Sequence, residues 1–415
     1  MADTTFDGVD LQALAQRIGT PCHVYSATAI RQRIHALTTA LHGLDAQVCY
    51  AVKANSNLAI LQLMADAGFG ADIVSAGEML RAVCAGIPAQ RIVFSGVGKS
   101  ADEIAQALDA GIARFNVESA DELHLLQRIA AQHDVIAHAA ARINPDVDAG
   151  THAKISTGKS ENKFGVEIDE ARRWFADSAQ LTHLRLDGLH VHIGSQMLSL
   201  GPIRAALQRA ATFRRELEAD GHTIRSIDVG GGLGVCYRDG HDTPVAIADY
   251  VDVIRRELDG FDGRILLEPG RLLVAEAGLL LTRVICVKHG GQRKFLIVDA
   301  AMNDLVRPSL YDAWHDIVPL ATNSGAPQRY DVVGPVCESS DIFARDRELP
   351  PCTAGDLLMI KATGAYGASM ASTFNSRPLA AEVLADNGRY AVVRRRQSIH
   401  DMIADERSAQ QWESA

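Results

Sequence analysis

Short apolar segments alternate with helical segments through most of this 415-residue chain, and this alternation limits its possible folds more than any other feature. Each apolar run except the last precedes a segment whose apolar residues recur at helical spacing. A helix predicted at residues 28–44 precedes the first run. Such runs are typical of a parallel sheet that is buried on both faces. The runs are residues 48–52, 71–74, 92–94, 115–117, 136–143, 186–193, 227–229 and 265–267.

The number of runs and the residues that follow them favour a closed barrel. Eight parallel strands close a (β/α)8 barrel, whose active site lies where the carboxyl ends of the strands meet. Polar residues fall at that end of nearly every run. We therefore predict an α/β fold with a TIM-like (β/α)8 barrel, and an open doubly wound sheet is the alternative. The strand-end residues are Lys53, Ser75, Ser95, Gly96, Glu118, 142–144, 192–195, 230–232 and 268–271.

The sequence changes character after Arg271. Short segments rich in β-branched residues follow one another, separated by Gly, Pro and Asp, and no long helix intervenes. This pattern predicts a mostly antiparallel β domain, which the strand-like residues 22–25 are expected to join. The predicted division is 28–272 for the barrel, with 1–27 and 273–415 forming the β-rich domain. The β segments are residues 278–287, 294–298, 330–333, 356–360 and 389–394.

Charge and composition exclude several classes of partner. A net charge of -10 disfavours nucleic acid as a partner, because phosphate binding requires a basic surface. The first nine residues carry acidic side chains and no long apolar run, so we expect neither a secretory signal nor a membrane span. The seven cysteines show no CxxC pair and no metal-finger spacing. A dispersed, odd set of this kind indicates reduced thiols in the cytoplasm.

Lys53 ends the first run in the segment AVKAN. One interpretation is a surface lysine at the start of a loop, since lysine is mostly exposed. The other is a lysine at the mouth of the barrel. Burial there would lower the pKa of the amine and make it nucleophilic, as a Schiff-base lysine requires.

The glycines of VGGGLG follow the seventh run at 229–234. Either they form a flexible turn, or their backbone N–H groups hold a phosphate, as loops near the seventh and eighth strands of barrels commonly do. A dinucleotide motif is excluded because it needs glycine where Val235 stands, and a P-loop at 96–100 fails because Val93 occupies its upstream glycine position. Instead, Ser100 is predicted to cap a helix.

Glu268 begins the segment EPGR after the eighth run. A carboxylate beside a phosphate loop makes chemical sense if it faces a protonated heterocyclic nitrogen, although a solvated Glu–Arg pair is the alternative. His190 and His192 share one face of the sixth run. A metal pair is conceivable, but no third ligand follows from the spacing, so we predict no metal. A lone histidine is most often a packed or hydrogen-bonded side chain, and the alternative for His192 at the mouth is stacking on a planar cofactor.

Together, the segments AVKAN, HVHIGS, DVGGGLG and EPGR resemble those of the fold-type III pyridoxal-phosphate decarboxylases, in the same order. Further segments resemble the diaminopimelate decarboxylases within that family, and the resemblance runs from about residue 6 to 406. These segments are SENKFGV at 160–166, MNDLVRPSLY at 302–311, GPVCESSD at 334–341, GAYGASMASTFN at 364–375 and RRRQSIHDMIADE at 394–406.

The resemblance implies a role for each matching residue. The implied cofactor is pyridoxal 5'-phosphate, with Lys53 as its Schiff-base partner and Glu268 at its ring nitrogen. Cys337 would return the proton, reaching in from the other subunit of a homodimer with shared active sites. For the cofactor, the resemblance further implies that His192 stacks on the ring and that the phosphate is contacted by Ser195, Gly231, Gly232, Gly270 and Arg271. Tyr366 would contact the phosphate or the substrate. For the substrate, it implies that a carboxylate is bound by Arg271, Arg307 and Tyr311, and an amino group by Glu338.

The implied activity is decarboxylation of meso-2,6-diaminopimelate to L-lysine and carbon dioxide, the last step of lysine biosynthesis. A decarboxylase of another basic amino acid, such as ornithine, arginine or a polyamine precursor, is the alternative, although Arg271 and Arg307 favour a distal carboxylate. A racemase on the same barrel is expected to place a cation, not Glu268, at the ring nitrogen. A non-catalytic relative is expected to lack Lys53, which is present.

Overall fold

The computed structural model describes residues 4–148, 163–321 and 324–406. The chain forms two compact units. The first comprises Ser26–Gly278 with Gly364–Ser369, and the second comprises Met1–Tyr25, Leu279–Thr363 and Met370–Ala415. Of the helices in the described ranges, none combines the length and apolar character that crossing a membrane requires.

The first unit is a closed barrel of eight parallel strands, as the sequence predicts. Each strand pairs with the next, and the eighth pairs with the first, which excludes the open sheet. A short strand, Val166–Glu167, pairs with the fifth strand outside the ring. In chain order, barrel strands one to eight are Ala46–Ala51, Gly70–Ile73, Ile92–Phe94, Arg114–Val117, Ala137–Asn144, Leu184–His190, Ser226–Asp228 and Arg264–Leu267.

Helices connect successive barrel strands. Several begin with a serine whose hydroxyl accepts from a backbone N–H of the first turn, and Ser100 forms the predicted cap, as a capping box with Glu103. Lys53 lies in a single 3-10 turn, Val52–Ala54, directly after the first strand. The helices are Ala27–Ala40, Leu58–Asp66, Ala76–Cys84, Ala101–Ala110, Ala120–Gln132, Ile168–Asp177, Gly201–Ala219, Ile247–Glu257 and Arg271–Val274.

The second unit contains a mostly antiparallel sheet with two apolar cores, in agreement with the sequence prediction. The N-terminal strand Cys22–Ser26 lies between Gly278–Gly290 and Ala381–Asp386, so the N-terminus joins this sheet. The other strands of this sheet are Arg293–Val298, Ile317–Pro319, Gln328–Val333, Ile342–Leu349, Leu357–Ile360 and Arg389–Arg394. Thr5–Phe6 and Val9–Asp10 pair with each other in a separate two-stranded sheet. The helices of the unit are Leu11–Ile18, Arg307–Tyr311 and Ile399–Met402.

Candidate active site

Lys53 forms an ion pair with a buried carboxylate at the mouth of the barrel. Its Nζ lies 2.7 Å from Oδ2 of Asp72, which lies in the second strand and is fully buried, while the lysine side chain is 39% exposed. Burial lowers the pKa of Lys53, but Asp72 and Glu268 raise it by more. The expected lowering is therefore wrong for the protein without ligand, because two nearby carboxylates stabilise the ammonium.

Asp72 is placed to take the proton that Lys53 must lose before its amine becomes a nucleophile. Burial and the charge of Glu268 raise the pKa of Asp72, although Lys53 opposes this. A carboxylate with a raised pKa at 2.7 Å can accept the ammonium proton directly. The pair thus keeps Lys53 charged and fixes the position of its Nζ.

Glu268 lies after the eighth strand, buried within a set of side-chain donors. Its Oε1 accepts from Ser95 Oγ at 3.3 Å and from Asn116 Nδ2 at 3.2 Å, and its Oε2 lies 3.2 Å from His190 Nε2. Burial raises the pKa of Glu268, but His190 and Lys53 lower it further, so the net shift is downward. Glu268 is therefore an ionised carboxylate inside the barrel mouth.

His192 is held as a neutral ring. Its Nδ1 accepts a hydrogen bond from the backbone N–H of Gly231 at 3.2 Å. Burial, with help from Arg142 and Lys53, lowers the pKa of His192 to about 3. The ring proton therefore lies on Nε2, and a flat, uncharged imidazole is available to stack on a planar group.

The depressed pKa of His192 predicts a pH dependence of stability. The folded-state pKa of about 3 lies below the ordinary value of 6.5, so within this window the unfolded chain binds a proton that the folded chain does not. We expect the free energy of unfolding to fall as pH drops from 6.5 toward 3, and to fall less in His192→Gln. Urea unfolding of the cofactor-free protein at several pH values measures this. The exposed His124, changed to Gln, is the control, and equal slopes for both variants would contradict the assignment.

The glycines after the seventh strand make a turn that side chains would block. Gly230 and Gly232 have φ of +65° and +99°, in the left-handed region. A Cβ at Gly231 would lie 2.2 Å from the carbonyl oxygen of Glu268. A pocket adjoins this turn, lined by Gly230, Gly231, Gly232, Gly270, Arg271 and apolar residues that include Leu37 and Leu272. Closely spaced backbone amides beside an arginine suit a phosphate.

Arg271 links several predicted phosphate contacts. Its guanidinium donates to Ser195 Oγ from NH2 at 2.9 Å and to the Tyr237 hydroxyl from NH1 at 2.5 Å. The ring of Tyr366 lies 4.9 Å from the guanidinium carbon, and the Tyr366 N–H donates to the Ala54 carbonyl at 2.8 Å. Ser195, Arg271 and Tyr366 therefore lie together, next to the turn that carries Lys53. Sequence reasoning missed Tyr237, which stands in a loop without a recognisable motif.

The other predicted substrate contacts lie in the second unit. Arg307 and Tyr311 share one short helix, and Arg307 is buried. Cys337 and Glu338 are exposed in the loop before Ile342–Leu349. The Cys337 N–H donates to Asn375 Oδ1 at 2.9 Å, and Glu338 Oε1 accepts from the Ser340 hydroxyl at 3.1 Å.

A buried ion pair joins Glu118 to Arg142 at the mouth of the barrel, and the sequence did not predict it. Arg142 NH1 donates to Glu118 Oε1 at 2.7 Å. The same carboxylate accepts from the N–H groups of Gly96 and Gly165, after the third and fifth strands. The motif predicted at 160–166 begins in the segment outside the described residues, and only 163–166 of it can be placed.

His190 has two carboxylates nearby that its sequence spacing did not reveal. Ligand-type atoms of His190, Asp228 and Glu268 all lie within 4.8 Å of one another, and all three residues are buried. The spacing along the chain could not reveal this cluster, because the three residues lie in or directly after three different strands. The direct contact between His190 and Glu268 makes this cluster a hydrogen-bonded network.

Comparison with known proteins places these residues in a family context. The family described as "Pyridoxal-dependent decarboxylase, pyridoxal binding domain" matches residues 27–275. The chain is 48% identical to the diaminopimelate decarboxylase of Pseudomonas aeruginosa, covering 98% of this chain and 97% of the relative. It is 47% identical to that of Zymomonas mobilis, covering 97% and 96%.

Solved structures agree with the sequence comparison. The structure of diaminopimelate decarboxylase from Helicobacter pylori complexed with L-lysine is similar with a TM-score of 0.92 and 45% identity, covering 95% of this chain and 98% of that one. Lysine decarboxylase from Selenomonas ruminantium is similar with a TM-score of 0.81 and 27% identity, covering 90% and 95%.

Proposed function

We propose that the chain, which belongs to the diaminopimelate decarboxylase family of pyridoxal-dependent enzymes, converts meso-2,6-diaminopimelate to L-lysine and carbon dioxide. The observation that carries the proposal is the set of four features gathered at one barrel mouth: Lys53 paired with Asp72, the ionised Glu268, the neutral His192 and the glycine turn. Identities of 44–48% to diaminopimelate decarboxylases over nearly the full length support the choice of substrate.

The residues present fit pyridoxal phosphate, which is the cofactor of the family. Lys53 would hold it covalently, and Glu268 would pair with its ring nitrogen. The turn at Gly231 and Gly232, with Arg271 beside it, offers room and donors for the phosphate. When bound, the cofactor supplies the electron sink for the bond that breaks as carbon dioxide leaves. We propose residues 28–272 as the domain that binds it, and the family match at 27–275 supports this.

The side chains of the barrel then have separate tasks. Lys53 Nζ gives up its proton to Asp72 Oδ2, 2.7 Å away, and becomes a nucleophilic amine. Glu268 keeps a fixed negative charge within the mouth. His192 presents a neutral face, since a charged ring there would oppose the nearby Lys53 and Arg142.

We propose that the distal end of the substrate selects meso-diaminopimelate over other basic amino acids. That end carries both a carboxylate and an amine, and ornithine has no distal carboxylate. A planar guanidinium such as that of Arg307 or Arg271 suits a carboxylate, and Glu338 suits the amine. Tyr311 and Tyr366 are proposed as further contacts.

The Arg307 side chain is oriented by a histidine that sequence reasoning missed. His315 Nε2 lies 2.8 Å from Arg307 NH1, and Nδ1 lies 2.8 Å from the Lys361 carbonyl oxygen. Because the carbonyl can only accept, Nδ1 carries the proton and Nε2 is the acceptor for Arg307. His315 therefore fixes the direction of the guanidinium through a defined tautomer.

Replacing His315 with Phe is expected to raise KM for diaminopimelate by roughly tenfold or more and to change kcat little. The reason is that a hydrogen bond to a charged group contributes about 1.5–3 kcal/mol and holds the Arg307 donor fork in place. Steady-state kinetics measure both constants. His315→Gln, whose amide can accept from Arg307 and donate to the carbonyl, serves as the matched control and should stay near wild type. An unchanged KM in the Phe variant would argue against a substrate role for Arg307.

We further propose a homodimer with shared active sites, to which the partner contributes Cys337. The resemblance of residues 334–341 to the corresponding family segment supports this. A cytoplasmic location is proposed as well, and it is supported by the seven free cysteines, since reduced thiols are usual in that compartment.

Release of lysine and carbon dioxide tests the proposed function. Purified protein with added pyridoxal phosphate is incubated separately with meso-diaminopimelate, ornithine, arginine and lysine. We expect lysine from diaminopimelate and no turnover of the other three. Turnover of ornithine or arginine alone would keep the chemistry but overturn the proposed roles of Arg271, Arg307 and Glu338.

A further inference from the structure

We propose that Ser95, Asn116 and His190 act as positioning residues that keep Glu268 ionised, so that the proton between Glu268 and the ring nitrogen of bound pyridoxal phosphate stays on the nitrogen. The inference rests on the proposed function, which places Glu268 at that nitrogen. It adds three residues that neither the motifs nor the comparisons assign to this task.

The three donors converge on Glu268 from three different parts of the barrel. Ser95 follows the third strand, Asn116 is in the fourth, and His190 ends the sixth. Exposure is 4% for Ser95, 0% for Asn116, 1% for His190 and 6% for Glu268. Burial of this extent makes each hydrogen bond count more, because water cannot replace a lost donor.

The direction of each hydrogen bond follows from the contacts. Asn116 Nδ2 donates both to Ser95 Oγ, at 3.0 Å, and to Glu268 Oε1, at 3.2 Å. Ser95 Oγ accepts from Asn116 and donates to Oε1 of Glu268, 3.3 Å away, and the same hydroxyl also interacts with the Asp72 carboxylate. His190 Nε2 donates to Oε2 at 3.2 Å. Oε1 thus receives two hydrogen bonds and Oε2 one.

Donors aimed at a carboxylate stabilise its charged form and lower its proton affinity. A proton shared with a pyridine nitrogen then lies on the nitrogen, where it strengthens the electron sink. His190 adds charge to this effect: burial lowers the pKa of His190, but Glu268 and Asp228 raise it by more.

Asp228 and Glu268 are neighbouring carboxyl groups whose pKa values shift in opposite directions. The Oδ1 of Asp228 accepts from the Gly230 N–H at 2.9 Å, and burial together with the charge of Glu268 raises the pKa of Asp228. The pKa of Asp228 is thus shifted upward, whereas that of Glu268 is shifted downward. Pairs of groups with pKa values driven apart in this way are typical of acid–base sites. The titratable or charged groups around Glu268 are Lys53, Asp72, Arg142, His190, His192 and Asp228.

The test follows the ring nitrogen itself. Holoenzyme is reconstituted with pyridoxal phosphate labelled with ¹⁵N in the ring, and the nitrogen chemical shift reports at constant pH how much of the proton the nitrogen holds. The variants are Ser95→Ala, Asn116→Leu and His190→Leu. His190→Gln retains an N–H donor and serves as the rescue. Ser226→Ala removes a buried barrel serine that contacts Arg114 and serves as the matched control.

In Asn116→Leu and His190→Leu, we expect the equilibrium of the proton between the ring nitrogen and Glu268 to shift toward Glu268 by about tenfold or more. This shift corresponds to about one pKa unit. Ser95→Ala should shift it in the same direction, while His190→Gln and Ser226→Ala stay near wild type. Turnover should fall in the shifted variants at an unchanged KM. Since Ser95→Ala removes a single oxygen, it remains informative even if the larger replacements fail to fold.

Two negative results have different meanings. If the wild-type nitrogen is protonated and responds to Glu268→Gln, but not to the Ser95, Asn116 and His190 variants, the inference is overturned and the proposed function stands. If the wild-type nitrogen carries no proton and Glu268→Gln leaves it unchanged, the proposed role of Glu268 is wrong, and the inference with it.

Discussion

Replacing Lys53 with alanine is expected to abolish the borohydride-reducible link between protein and cofactor and to lower turnover roughly 10⁴-fold or more, the scale seen when a catalytic nucleophile is removed. The reason is that Lys53 is the amine that stands at the end of the first barrel strand, 2.7 Å from a carboxylate able to take its proton. Absorbance of the bound cofactor and mass spectrometry after borohydride treatment measure the link, and release of lysine measures turnover.

Lys53→Arg is the control that separates chemistry from folding. Arginine keeps the positive charge that balances the buried Asp72, so the barrel should remain stable, but it cannot form the covalent link. Lys53→Ala leaves that carboxylate without its partner and is expected to be less stable as well. A reducible adduct that survives in both variants would mean that another amine holds the cofactor.

The sequence predicts the barrel and its mouth well because both depend on local patterns. Apolar runs of strand length, all but the last followed by helical spacing, define eight strands whose order is the order of the chain. Lys53, Gly231 and Glu268 stand directly after runs, where a closed barrel gathers them. A position after a strand is therefore a local signal for a site that is assembled from distant residues.

The supporting residues were harder to predict because they stand inside strands. Asp72, Asn116 and Asp228 interrupt apolar runs, and all three are fully buried. A polar residue within a strand that is covered on both faces must find a partner, and in a barrel the partner lies across the interior. That interruption was the available signal, but the sequence does not say which strands face one another across the barrel.

Among the described residues of the second unit, five strands escaped prediction. Thr5–Phe6 and Val9–Asp10 have only two residues each, and three others were missed because of their composition or length. Ile342–Leu349 carries charged residues at several positions, and Ala381–Asp386 is built from alanine, leucine and acidic residues that favour helix. Ile317–Pro319 has only three residues. Pairing with neighbouring strands, which is a tertiary effect, decides all three.

Replacing Cys337 with alanine is expected to lower turnover roughly 10²–10⁴-fold while the cofactor stays linked to Lys53, because a positioned proton donor contributes on that scale. Cys337 is exposed, and it lies in a loop of the second unit. If it serves the site of a partner, two inactive variants should complement each other. Lysine release and cofactor absorbance of the Cys337→Ala protein are the first measurements.

Mixing equal amounts of Lys53→Ala and Cys337→Ala chains then tests the shared site. A twofold dimer with random exchange places an intact Lys53 and an intact Cys337 in about one site of four, so recovery should approach a quarter of wild-type turnover. A mixture of Lys53→Ala with Lys53→Arg should recover nothing, since no combination restores the lysine. Chains carrying different affinity tags show whether exchange has occurred. Absence of recovery between exchanged chains would place both residues in the site of one subunit or assign the proton to another group.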